Sequence, residues 1–421
     1  MMTDFPRLLI ISEVTLSQQG LGAGRTLFNL FENYPAEQVM LLSPQNYLKT
    51  YPTDPPFDQQ VLSFPGGFLP ASNTRFGKYI NPLVKTVNLQ ILDWLPIFEF
   101  RRIKAFSPEV ILVCPLTSWC LLMGAKVSQA MECPSLIYLM DDWLANDNAR
   151  WLSGSLQQLA YRLLTDTAGW LMISPQLERE LAQRYDVTPN ESLVVHNPVD
   201  LTGKQPPPDN CKSEGPFKVV YAGSIWPMHY DALAAVAEAI YQLKSEGVDI
   251  ELILYTPASF WEAYQVHWDH WHVTYGGLIA YQEMDSYLRQ ADLLLVTASF
   301  LPEHISFTRS SVQTKLTDYM LAGRPILACG PSYSACNAFV KKWECGLVCE
   351  TNQIEKIKEL LLDVMNNPMT GSMGVRAFEA VKNNFEKELV SRKLTEFIKE
   401  TSPNYQKLIV QSQTDLNHKA K

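Results

Sequence analysis

Short apolar runs alternate with longer stretches of helical periodicity along the whole chain. "RLLIIS", "QVMLLS", "EVILVC", "SLIYLM", "GWLMIS" and "SLVVHN" occupy the first half, with segments of helical length between them. Such runs, bounded by turn-formers, suit strands of a mostly parallel sheet, and the intervening lengths suit crossover helices. After "HNPVD", residues 201–216 read "LTGKQPPPDNCKSEGP", where Pro, Gly and polar residues displace apolar ones. That composition marks a linker. A second series follows: "FKVVYAGS", "IELILYTP", "HVTYGGL", "DLLLVTAS", "PILACGP" and "GLVCE", again separated by helical patterns. The pattern predicts two α/β, Rossmann-like domains, residues 1–205 and 216–385, then a last helix and polar tail over 386–421. Open parallel sheets take ligands at the carboxyl ends of their strands, so two such domains are expected to face each other across a cleft.

Composition narrows the function. A chain of 421 residues is too long for one ordinary core and suits two domains of roughly 200 residues each. A net charge of −9 argues against nucleic acid as a partner. The eight cysteines form no C-x-x-C pair and several lie inside apolar runs, which suits reduced, buried thiols in a cytoplasmic protein. Pro115, Thr117 and Ser118 interrupt "VILVCPLTSWCLLMGA", so it reads as a buried strand and helix rather than a membrane span.

Four stretches carry candidate chemistry. "QGLGAGRT", residues 19–26, follows the first strand, but Arg25 stands where a dinucleotide fingerprint needs its third glycine. A tight turn and a ligand loop at a helix N-terminus both fit it. In "SSVQTKLTDYMLAGRPILACG", Lys315 and Asp318 share a helix face three residues apart, and Gly323 ends that helix before the next strand. The pair is either a solvated helix face or a site in which Lys315 contacts phosphate and Asp318 accepts from a ribose diol. Asp141 and Asp142 end "SLIYLMDDW"; they either cap the next helix or place a carboxylate at a reacting sugar. Residues 75–104 hold six basic residues and two acids, interleaved with Tyr79, Trp94, Phe98 and Phe100. Helix packing, an acceptor lining and the rim of an anionic membrane all suit that mixture. No Asp-x-Asp motif occurs, and "VHWDHWH", with His267, His270 and His272, reads as a solvated strand entry rather than a metal site.

The Lys315 stretch resembles the retaining glycosyltransferases of GT-B fold, the large group called family 4, which carry a stretch like P-x-K-x-x-E-Y-M-A-A-G-x-P-V. "VVYAGS", "GGLIAYQEMDSYLRQADLLLVTAS" and "VVHNPVD" extend the resemblance over roughly residues 1 to 400, closely in the second half and in layout only in the first. It implies a nucleotide-sugar donor held by Gly223, Ser224, Arg309, Lys315 and Asp318, with Leu278 at the base edge through its backbone. It places Gly22 and Gly24 near the diphosphate and Asp142 or Asp141 at the reacting centre. Metal-independent transfer to a glycan or lipid-linked acceptor, with retention, is the activity it implies, in a protein that is cytoplasmic or peripheral at a membrane's inner face. Two departures stand out. The position eight residues before Asp318, where the family has an acid, is Ser310. The family's Arg and Lys after the first second-domain strand are missing from "GSIWPMHYDAL", which offers only His229. A catalytically weak GT-B scaffold binding a glycan or partner enzyme is the alternative, and an epimerase of the same fold would need more acid/base groups than the sequence offers.

Overall fold

The computed structural model describes residues 5–18, 22–71, 77–142, 154–206, 215–367 and 370–403. Part of the 201–216 linker and the tail beyond 403 lie outside the described residues. The chain divides into two compact units, Met1–Val195 with Val390–Lys421, and His196–Leu389.

The first unit is built on a seven-stranded sheet of β1 (Leu8–Ser12), β2 (Val39–Pro44), β3 (Val61–Phe64), β4 (Val110–Cys114), β5 (Ser135–Leu139), β6 (Gly169–Met172) and β7 (Ser192–Val194). Their order is β3-β2-β1-β4-β5-β6-β7, and every pairing is parallel. The strands β1, β2, β4, β5 and β6 are buried along their whole length, which is why they read as unbroken apolar runs. The edge strand β3 alternates half-buried and buried positions over four residues, too short to stand out in the sequence. The helix Lys387–Thr401 places Val390, Leu394 and Ile398 in this same core, beside Leu8, Ile10 and Leu136. This helix, the last among the described residues, therefore completes the first unit.

The second unit contains β8 (Phe217–Ala222), β9 (Ile250–Tyr255), β10 (Thr274–Gly277), β11 (Leu293–Thr297), β12 (Ile326–Cys329) and β13 (Gly346–Cys349). Their order is β10-β9-β8-β11-β12-β13, again all parallel. In both units the order reverses beside the first strand, between β1 and β4 and between β8 and β11. Crevices open at such reversals, at the carboxyl ends of the strands.

One sequence expectation is refined here: "VHWDHWH" leads into β10 with His267, His270 and His272 exposed, but its first five residues belong to the helix Gln265–His270. Trp268 is fully buried, Tyr230 stacks on Tyr264 at 3.9 Å, and the Tyr230 hydroxyl bonds His267 Nδ1. The buried Trp268 anchors the helix while the three histidines stay at the surface.

Candidate functional site

The second unit's site is built around the turn after β8. Gly223 adopts φ +127°, a backbone geometry strained for other residues, and its N–H donates to the Tyr255 carbonyl at 2.8 Å. A Cβ at this position would stand 3.1 Å from Lys315 Nζ and 3.2 Å from Cε. Glycine thus lets the lysine lie against bare backbone. Lys315 opens the helix Lys315–Ala322, and its ammonium sits 3.5 Å from the centroid of the Tyr221 ring. Part of its stem is exposed, but Nζ is buried and has no hydrogen-bond partner among the described residues. Burial pushes this ammonium down to about 7.

His229 completes the same corner. Its Nδ1 lies 3.3 Å from the Tyr221 hydroxyl and 3.3 Å from the Ser224 carbonyl, and Tyr221 itself donates to Ser224 O at 2.8 Å. Burial first, and the Lys315 charge next, push the imidazole down to about 3. It is neutral, and a proton on Nδ1 leaves Nε2 as a buried acceptor with no partner among the described residues. Gln313 adds a buried, unpartnered Oε1 while its Nε2 donates to the Thr297 carbonyl at 2.6 Å. Buried polar groups are ordinarily satisfied, so three orphans on adjoining elements mark a place for a ligand.

The other expected residues distribute as follows. Asp318 lies in the first turn of the Lys315 helix and accepts from the Tyr281 hydroxyl at 3.3 Å. Leu278 is 71% exposed on the loop after Gly277, whose φ is +78°. Arg309 sits on the helix Ile305–Ser310 with its guanidinium 5.6 Å from the Tyr333 ring centroid. Ser310 is fully buried and donates to the Ser306 carbonyl at 2.7 Å. Lys315, Gly223, Ser224 and His229 are therefore brought together, whereas Arg309 is stationed against another aromatic ring.

In the first unit Gly22 takes φ 47° and caps the helix Ala23–Phe31, its carbonyl accepting from Thr26 N at 3.0 Å. A Cβ on Gly24 would stand 3.0 Å from the Thr15 carbonyl, so this glycine sets the close approach of helix and loop. Residues 19–21 of the same stretch lie outside the described residues. Asp142, at the end of β5, is 1% exposed and holds Arg184 through both oxygens, at 2.8 and 2.6 Å. Asp141 beside it is half-buried.

One group escapes sequence reading. Glu13 follows β1 at the strand reversal, is 1% exposed, and accepts from Leu116 N at 2.8 Å, Thr117 Oγ1 at 2.5 Å and Cys120 N at 3.1 Å. Burial raises its carboxyl above the usual range, opposed by those donors. Its signal was only a lone acid after an apolar run. It ties the end of β1 to the helix Ser118–Met131 that follows β4.

Residues 216–367 match the family described as Glycosyl transferases group 1. This part of the second unit thus matches a group 1 glycosyltransferase domain, and the chain shares the GT-B fold of known glycosyltransferases. Among solved structures it is similar to HepE of Anabaena in complex with UDP-glucose, at 14% identity and TM-score 0.63, covering 93% of this chain and 99% of that one. It is also similar to the sucrose-phosphate synthase of Thermosynechococcus elongatus, at 12% identity and TM-score 0.66, over 94% and 98% of the two chains. A third is WaaG, a glycosyltransferase involved in lipopolysaccharide biosynthesis, at 13% identity, TM-score 0.60, and coverage of 93% and 99%. No curated protein sequence matches the chain. Among the described residues, no helix is long and apolar enough to cross a membrane.

Proposed function

We propose that the chain transfers a sugar from a uridine diphosphate sugar to an acceptor hydroxyl, with retention at the anomeric carbon. The observation that carries the proposal is Lys315: a buried, unpartnered ammonium against Gly223 at the carboxyl end of β8. A buried cation without a counter-charge is unfavourable in the empty protein and is relieved by an anion. A diphosphate supplies that anion, and HepE, of the same fold, was solved with UDP and with UDP-glucose.

In this reading the backbone of Gly223 and Ser224, with Lys315, cradles the diphosphate. His229 Nε2 accepts from a donor hydroxyl, Asp318 accepts from the ribose diol, and the Leu278 backbone meets the base. Arg309 supplies a second positive charge. As the bond from C1 to the diphosphate oxygen breaks, negative charge grows on the leaving group, and Lys315 stabilises it without metal. The acceptor oxygen bonds C1 and its proton leaves to the diphosphate or to solvent. Gly22 and Gly24 shape the loop offered to the diphosphate. Asp142, its position fixed by Arg184, and Asp141 orient the acceptor or steady positive charge at C1. A glycan or lipid-linked acceptor is the fitting class, and exposed Tyr79, Leu83 and Trp94 would make a peripheral membrane contact in the cytoplasm.

The weak-scaffold alternative draws on His229, a neutral group where related enzymes carry charge. Incubation with UDP-sugars, with and without a chelator, tests the proposal: UDP release unaffected by chelator, and a product of the donor's own anomeric configuration, are expected. UDP binding without release of UDP from any sugar donor would favour the scaffold.

A further inference from the structure

Two of the eight cysteines stand side by side at the carboxyl end of the second unit's sheet, apart from every residue assigned above. Cys329 closes β12, Cys349 closes β13, and the two are register partners across that parallel pair. Neighbouring strands lie about 4.8 Å apart, inside the roughly 4.4 to 6.8 Å that the Cα atoms of bridged cysteines span. Register partners point to the same face of a sheet, and both side chains enter one core, the one that holds Leu327, Ile357 and Leu361. Their sulfurs converge on a single oxygen: Cys329 Sγ lies 3.9 Å and Cys349 Sγ 3.3 Å from the Thr351 carbonyl. One acceptor thus gathers both thiols.

The two are unequal. Cys349 ends the edge strand, keeps 4% of its surface open and is followed by exposed Glu350, whereas Cys329 is fully buried. A small oxidant therefore meets Cys349 first. The Cys329 thiol donates towards Cys349 and holds it below the ordinary cysteine value. The same bond, then burial, the charge on Cys349 and the Asp231 carboxylate keep Cys329 well above it. One sulfur is thereby prepared as the attacking thiolate and its neighbour as the thiol that follows. Four other described cysteines differ. Burial raises Cys133 to about 11 and Cys345 to about 12, and burial with the Glu13 carboxylate raises Cys114 and Cys120.

We infer that Cys329 and Cys349 form a reversible disulfide when a peroxide reaches the protein. The Cys349 thiolate attacks one peroxide oxygen and the O–O bond breaks; hydroxide leaves, takes up the proton that Cys349 gave up, and Cys349 becomes a sulfenic acid. The Cys329 sulfur then attacks the Cys349 sulfur, the S–O bond breaks, and the hydroxyl leaves with the Cys329 proton as water. Two electrons pass from the sulfurs to the peroxide, so two thiols and one peroxide give one disulfide and two waters. A dithiol reductant reverses the step by exchange. The bridge ties the edge strand β13 to β12 and closes a loop that contains the helix Ala335–Trp343.

Treatment of the whole, folded protein with hydrogen peroxide, then alkylation under denaturing, non-reducing conditions and peptide mass mapping, tests the pair. A peptide cross-linked between Cys329 and Cys349 is expected, with two of the eight thiols lost and all eight recovered under dithiothreitol. Cys349 should be oxidised at least about tenfold faster than Cys114 or Cys120, which serve as controls within the same chain. Cys349→Ser should abolish the cross-link and leave Cys329 to be alkylated. Sulfinic or sulfonic acid at Cys349 with Cys329 still a thiol would overturn the pairing. Loss of all the thiols at one rate, or a cross-link that forms only in urea, would overturn the selectivity that the folded geometry confers.

Discussion

At the scale of single residues, Lys315 unites structure and chemistry. Its folded-state value of about 7 lies below the ordinary lysine range, so between these limits the unfolded chain binds more protons than the folded one. Stability from this group therefore rises with pH from about 7 towards the ordinary lysine value, and the burial penalty is complete below about 7. A bound diphosphate favours the charged form, so UDP binding should take up a proton above pH 7 and weaken as pH climbs. Calorimetry in buffers of differing ionisation enthalpy checks this between pH 6.5 and 9; affinity flat across that range, with no proton uptake, would contradict it. Gly223 and Lys315 were legible as candidates because their motif spacing is local. The ammonium's lack of a partner was not, since it depends on Tyr221 and His229, far away in sequence. Nor was the Asp142 pairing with Arg184, forty-two residues apart, which assigns that carboxylate a counter-ion the sequence could not name.

Among the elements, the strands were the most legible part of the chain. The runs read from the sequence correspond to twelve of the thirteen strands among the described residues, and β1, β2, β4, β5, β6, β11 and β12 stand out most because a strand buried on both faces must be apolar throughout. β3 escaped because a four-residue edge strand that alternates half-buried and buried positions carries no such signature. The last helix was legible as a helix, but its docking partner was not: periodicity gives the apolar face of Val390, Leu394 and Ile398 without saying which core receives it. The helix Gly77–Trp94 has two readable faces. Asn81, Val84, Lys85 and Asn88 line a cavity of the first unit, whereas Tyr79 at 66%, Leu83 at 65% and Trp94 at 83% exposure look outward. With exposed Arg101, Arg102 and Lys104 on the following helix, this surface should bind anionic vesicles in a salt-sensitive way, since such charges are screened within about 8 to 10 Å at physiological ionic strength. Sedimentation with vesicles containing an anionic phospholipid, at low and high salt, checks it; no binding at low salt would remove the membrane contact.

For the whole molecule, each unit repeats one plan, a parallel sheet whose strand order reverses beside its first strand. A buried ionisable group follows at each reversal, Glu13 after β1 and Lys315 beside the turn after β8. The two differ in a decisive respect: Glu13 is satisfied by three donors of its own unit, whereas Lys315 Nζ has no acceptor among the described residues. A satisfied group holds a fold together; an unsatisfied one waits for a ligand. Replacing Lys315 should therefore separate binding from stability. The most direct measurement is UDP affinity by calorimetry, with the melting temperature of the ligand-free protein, for the unsubstituted chain and for Lys315→Met. Charge-assisted contacts are worth about 1.5 to 3 kcal/mol, so the account predicts roughly 10- to 100-fold weaker UDP binding in the variant. Its ligand-free melting temperature should be equal or higher, because the buried charge is gone. UDP bound equally well by both proteins, or a variant that melts lower with its affinity intact, would contradict the assignment of Lys315 to the donor site.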